Sequence, residues 1–305
     1  MRVPQVVSRL PLAAVSVGAL LLVAMPALPA SGAVTVTSHF ILTAPGNGTF
    51  AAPINNGATN GAGNALLFVT PNYSAGGVCG CVSDSVPTGV VYNLFGGARW
   101  AILNLDESTA IAAGSAYNVL VVQRSNPSVF VQTATTANTL GGATYINSTL
   151  TNGLPHAQIL ITPNYDPGGK NGVLNDHPVG AYYNRTLKEW GVLNEDGSSM
   201  TIGAHFNIMV GSKPSNGGIE TLMQATSNNT AGSFAIVNNK NSNGNPNAAV
   251  FETQNSDPGG TGGTFDTSVT GVEYFQRPTD DWAVFQEDNS SMALGTSFNV
   301  LAFSS

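Results

Sequence analysis

Residues Trp190–Val210, WGVLNEDGSSMTIGAHFNIMV, occur three times in variant form. An earlier copy begins at Trp100 (WAILNLDESTAIAAGSAYNVLV) and a later one at Trp282 (WAVFQEDNSSMALGTSFNVLA). The tryptophans are 90 and 92 residues apart, the spacing of a small domain. A fixed period of this size means that one structural unit is repeated, and it fixes the architecture before any other feature is weighed.

The match extends outward on both sides. Each copy begins with an apolar run around Phe40, Phe130 or Leu222, followed by a polar loop that reaches Asn60-Gly61, Asn152-Gly153 or Asn243-Gly244. A second apolar run follows at 65–70, 157–162 and 248–253, then a double glycine, then a run ending in Tyr92, Tyr183 or Tyr274. All these runs are short, rich in Val, Ile, Tyr and Phe, and bounded by Gly, Asn, Pro or Asp, as strands between tight turns are. No window carries a helical period. The expected fold is all-β: three homologous antiparallel β-sandwich or barrel-like modules in tandem, at 34–126, 127–214 and 215–305. The Pro-containing joints 124–128 and 212–216 are short, which leaves open a stiff string or a pseudo-threefold ring.

Residues 1–33 read as a signal peptide. Arg2 and Arg9 precede an apolar stretch that exits through small residues, with cleavage expected after Ala33 or, alternatively, Ala30. The expectation is therefore a secreted, extracellular protein without a membrane anchor. Without Arg2 and Arg9, ten basic residues become eight against 17 acidic ones, a formal net charge of −9. That balance excludes the basic footprint of a nucleic-acid-binding protein. Cys79 and Cys81 are the only cysteines; in an oxidising compartment they can close a small disulfide loop, and the other copies lack them.

Alternation along the Trp strand puts Trp190, Val192, Asn194 and Asp196 on one face and Gly191, Leu193 and Glu195 on the other. Trp100, Asp106, Trp190, Asp196, Trp282 and Asp288 persist through the copies as a structural signature. Each Asp is placed to cap a turn, and the following Gly114, Gly203 or Gly295 suits an unusual backbone angle. Hard oxygen donors also leave calcium open at Asp196 or Asp176, although no copy has the dense acid spacing of a dedicated calcium loop, and no other cofactor is implied.

Catalysis is weakly supported. Glu195 and Asp196 point to opposite faces, and Glu195 is replaced by Leu105 in the first copy. His177 stands alone beside Asp176, and no G-x-S-x-G is present. Recognition is the better reading, because aromatic rings beside amides and acids suit sugars. The candidate ligand-binding residues are Tyr165, Asp176, His177, Tyr183, Trp190 and Asn194, with Trp190 as a core anchor the competing role. The expected function is non-enzymatic recognition of extracellular carbohydrate or another surface polymer. The alternatives are a self-associating matrix protein and, last, a secreted hydrolase acting through Asp196 or His177.

The pattern T-P-N-Y-x-x-G-G from Thr162, H-P-x-G-x-Y-Y from His177, W-x-x-x-N-E-D from Trp190 and then Phe206-Asn207 resembles an uncharacterised tandem-repeat domain of secreted bacterial proteins. The second copy matches best. The first departs at Leu105 and lacks His-Pro, and the third departs at Gln254, Ser256 and Gln286. The resemblance implies export and a β-rich repeat, and it brings no activity.

Overall fold

A computed structural model describes residues 34–124, 127–169, 172–211, 217–276 and 280–304. Residues 1–33, expected from the sequence to be a signal peptide, and the joint residues 125–126 and 212–216 lie outside the described residues. The described chain is all-β, and residues Ser31–Ser305 form one compact unit.

The first module holds β1 (Val36–Thr43), β2 (Ala51–Pro53), β3 (Ala65–Pro71), β4 (Thr88–Tyr92), β5 (Trp100–Asn104) and β6 (Ala116–Gln123). The second holds β7 (Val129–Thr133), β8 (Thr139–Leu140), β9 (Ala143–Ile146), β10 (Ile159–Asp166), β11 (Val179–Asn184), β12 (Glu189–Asn194) and β13 (His205–Val210). The third holds β14 (Ile219–Gln224), β15 (Thr230–Ala231), β16 (Phe234–Ile236), β17 (Ala249–Asn255), β18 (Thr270–Phe275), β19 (Asp281–Gln286) and β20 (Ser297–Phe303). Strands β2, β8, β9, β15 and β16 occupy what reads in the sequence as polar loop. They are only two to four residues long, and in the second and third modules a glycine turn splits them into hairpins too brief to show a period.

Each module is an antiparallel sandwich of two sheets. The inner sheets are β1-β6-β3, β7-β13-β10 and β14-β20-β17, and the outer sheets are β2-β5-β4, β8-β9-β12-β11 and β15-β16-β19-β18. Each sandwich has its own core, built on Trp100, Trp190 or Trp282.

The modules close into a pseudo-threefold ring. The end of β10 pairs in parallel with β4, β17 pairs in parallel with β11, and Asn72 at the end of β3 bridges in parallel to Val272 of β18. Each outer sheet is thus continued by the inner sheet of another module, in the cyclic order 1–2, 2–3, 3–1. The inner sheets are buried on both faces along their central strands, β6, β13 and β20. One face meets its own sandwich, and the other meets a shared axial core of Leu66, Phe68, Leu120, Leu160, Met209, Phe251, Leu301 and Phe303 with neighbouring valines. Burial on both faces explains why β6 and β20 read as nearly continuous apolar runs.

Polar contacts around the axis repeat three times. The hydroxyl of Thr162 accepts the Val69 N–H at 3.0 Å, Thr253 accepts that of Ile161 at 2.9 Å, and Thr70 accepts that of Glu252 at 3.1 Å. Asn118, Asn207 and Asn299 donate to the carbonyls of Val250, Leu67 and Ile159 at 2.8, 2.9 and 3.0 Å. Their side-chain oxygens accept from Asn72, Asn164 and Asn255 at 2.8, 2.8 and 3.0 Å. Where backbones cross the seams, glycine is required: a Cβ on Gly89 or Gly271 would lie 2.8 Å from the carbonyl oxygen of Pro163 or Pro71. A string of separate modules is excluded by this closure.

Candidate functional site

The strand–turn–strand that dominates the sequence is a structural clasp. Trp190 is 0% exposed, and Trp100 and Trp282 are each 1%. Their indole N–H groups donate to the carbonyls of Leu154, Ala62 and Asn245 at 2.8, 3.0 and 2.8 Å. Tyr183, Tyr92 and Tyr274 sit directly across the ladder and pack on these rings at centroid distances of 5.4, 5.3 and 5.6 Å. With both its face and its donor used internally, Trp190 has nothing to offer a ligand, which corrects its place among the candidate binding residues.

Asn194 is corrected for the same reason. It is 1% exposed, exchanges hydrogen bonds with Asn175, and donates to the Ser199 carbonyl at 3.2 Å. The residue standing where the other modules carry Asp84 and Asp266 is thus Asn175, not Asp176: Asp84 and Asp266 accept from Asn104 and Gln286, the equivalents of Asn194.

Asp106, Asp196 and Asp288 cap the turns as their spacing suggests, accepting the N–H of Ser108, Ser198 and Ser290 at 3.1, 2.9 and 2.8 Å. Slight burial opposes ionisation of Asp106, but hydrogen bonds from Thr109 and Ser108 hold its pKa down at about 2. Gly114, Gly203 and Gly295 close the turns at φ of 90, 94 and 95°. Met200, Met292 and Ile111 plug them onto the cores.

The remaining candidates are spread over different surfaces. Tyr165 packs across the first seam against a cluster containing Leu105. Tyr183, 5% exposed, lines the side of a shallow groove between the second and third modules with Arg185, Lys188 and Gly260. Asp176 is exposed and lies 3.5 Å from His177. The sulfurs of Cys79 and Cys81 are in bonding contact, with Cα atoms 4.9 Å apart.

His177 is the sequence candidate that reaches a composite site. Its Nδ1 meets Asp196 Oδ2 at 2.7 Å, which lowers the Asp196 pKa together with the turn hydrogen bonds, against the opposing effect of partial burial. His177 also lines a cavity of about 70 Å3 at one end of the ring. This axial mouth is built from equivalent positions of all three modules: Val69, Ile161 and Glu252; Pro71, Pro163 and Gln254; Pro87, Pro178 and Val269; Thr88, Val179 and Thr270. Ser268, bonded to Asp288 of the third clasp at 3.2 Å, lines it as well.

Glu252 is the mouth residue that sequence reasoning missed. It stands where the other modules carry Val69 and Ile161, and a single glutamate in an otherwise apolar column was the available signal. Its Oε1 accepts the Thr270 hydroxyl at 3.0 Å, while Oε2 is buried without a hydrogen-bond partner. Burial pushes its pKa to about 7, with Asp266 adding to the rise and Thr270 opposing it.

Glu195 and Glu287 were also underread. Their carboxylates lie in the seams, Glu195 accepting from Ser256 and Glu287 from the Asp84 N–H at 3.0 Å. Burial lifts both to about 8. Among the described residues no group of three or more His, Cys, Asp and Glu side chains is gathered to hold a metal ion.

No curated protein and no solved structure matches the chain. A family described as a domain of unknown function, DUF7452, matches at residues 28–121, 95–210 and 180–302. The three matches together span nearly all of the chain, so this protein belongs to the DUF7452 family.

Proposed function

We propose that this chain is an exported, non-enzymatic recognition protein for carbohydrate or another extracellular polymer, acting through the axial mouth. The observation that carries this reading is the mouth itself. Three modules whose tryptophans are all buried direct a set of unlike polar side chains, His177, Glu252, Gln254, Ser268 and Thr270, to one opening. In this reading the three modules act through one composite site and not through one site each. The modules share an axial core, so deleting one exposes the others and cannot report on binding. The test is retention of the full chain on a panel of insoluble polysaccharides, with His177→Ala as the mouth variant. Retention that His177→Ala weakens is expected; passage through every polymer sinks the reading.

A second reading, self-association into an extracellular layer, is favoured by the sheet edges. Among the described residues, β1 and β14 are the terminal strands of their sheets and carry Ile41 and Leu222 at 44% and 47% exposure. Exposed apolar edge strands invite pairing between chains. Light scattering that grows with concentration would favour it over recognition.

A further inference from the structure

Glu252 is costly where it stands. The equivalent positions in the other two modules are aliphatic, so the fold has no need of a carboxylate there. A buried carboxylate with one hydroxyl partner loses hydration that a valine would never have had. Oε2 is buried and unpartnered, and the residue borders the axial cavity. Among the described residues no Lys or Arg lines that cavity; His177 is the one basic side chain among them, and that ring is already bonded to Asp196. The acids Asp266 and Glu287 lie close enough to Glu252 to act on its ionisation or have theirs acted on by it. Among the described residues, the Glu252 carboxyl therefore borders the mouth without a cationic partner.

The occupant that would balance it follows from size and charge. Calcium takes six to eight oxygens, commonly with several carboxylates, and among the described residues Glu252 is the only carboxylate lining the cavity. A volume of about 70 Å3 holds a few water-sized groups and excludes a sugar ring. An ammonium group is water-sized, carries one charge and donates three hydrogen bonds. Glu252, the hydroxyl-bearing Thr88, Thr270 and Ser268, and Gln254 are the residues around the same space that carry acceptor oxygens.

We propose that the axial mouth binds the protonated amine of an unacetylated amino sugar, with Glu252 as the counter-charge and the sugar ring seated outside the opening. This rests on the recognition reading above and narrows its ligand class. An N-acetyl group would be excluded twice, by its bulk and by its lack of charge.

Calorimetry on the full chain would compare a fully deacetylated glucosamine trimer, its N-acetylated counterpart and methylammonium chloride. The deacetylated trimer is expected to bind at least tenfold tighter than the acetylated one. Glu252→Gln should abolish that preference, and Glu252→Val, which restores the aliphatic column, should abolish it while melting at the same temperature as the parent or higher. A merely structural Glu252 would instead give a lower melting temperature in Glu252→Val. Equal binding of the two trimers, or a preference that survives in Glu252→Val, overturns the proposal and leaves polymer recognition standing. Glu252-dependent binding of methylammonium with no binding of either trimer overturns the amino-sugar ligand and counts against carbohydrate recognition as well.

Discussion

Trp100, Trp190 and Trp282 make the same hydrogen bond to a loop carbonyl, against the same tyrosine, in three module interiors. Five residues further along the same strand, the three copies part company. Leu105 packs in an apolar cluster at the first seam, Glu195 meets Ser256 at the second, and Glu287 meets the Asp84 backbone at the third. Interiors repeat because any departure opens a cavity in a dense core. Seams differ because each is a private contact between two unlike neighbours, where a change on one side can be met on the other. Tyr165 faces the leucine seam and Ser256 faces a glutamate, so the partner position changes with it. Repetition therefore marks what the module needs to fold, and its breaks mark where the ring acquired chemistry.

The strongest way to break the comparison is to attack an interior. Trp190→Ala removes a fully buried indole and its bond to Leu154. The expected loss is about 3–5 kcal/mol of stability. Because the axial core joins residues of all three modules, urea denaturation followed by fluorescence of Trp100 and Trp282 should show one transition moving as a whole. Two separated transitions would mean that the modules fold as independent units.

The seams give the next largest effect, and it depends on pH. Glu195 and Glu287 have folded pKa values near 8, raised by burial from 4.5. A raised carboxylate pKa means that the folded state binds the proton more tightly than the unfolded state does. The stabilising contribution is complete below pH 4.5 and is lost as pH rises through 8. Stability should therefore fall by a few kcal/mol from pH 5 to pH 8, the reverse of the usual carboxylate behaviour. Glu195→Gln keeps a hydrogen-bonding side chain beside Ser256 and removes the charge, so it should flatten the slope and stabilise the chain at pH 8. Denaturant midpoints at the two pH values provide the check. The first seam sharpens the contrast, since Leu105→Glu should add a slope where none arises from that position.

The difference between interiors and seams also decides what could be read without coordinates. The longer sandwich strands and the capping Asp residues were legible, because each follows from local periodicity and turn chemistry. Burial of Trp190 was open between core and surface, since an aromatic ring serves either. Ring closure was not legible: Thr70, Thr162 and Thr253 look like ordinary strand residues until their partners, 182, 93 and 92 positions away, are known. Two traces of it existed. One is the nearly continuous apolar run in β6 and β20, which signals burial on both faces. The other is the Asn after the aromatic at Tyr117, Phe206 and Phe298, whose buried amide needs partners outside its own strand.

The smallest expected effect is the most discriminating for the ring. Thr70→Val, Thr162→Val and Thr253→Val each delete one hydroxyl that accepts a backbone N–H from another module. Valine keeps the shape of threonine, so packing is preserved while one donor is left without its acceptor. The expected cost is about 1–3 kcal/mol for each. If the three contacts are equivalent parts of one axis, the three losses should agree closely although the residues lie in modules of different seam chemistry. Glu252 adds a refinement, because the N–H that loses its acceptor in Thr70→Val belongs to the residue whose carboxylate borders the mouth. That variant should also weaken binding at the mouth, while Thr162→Val should lower the urea midpoint and leave binding unchanged. Equal losses of stability with unequal losses of binding would place the symmetry in the fold and the asymmetry in the function.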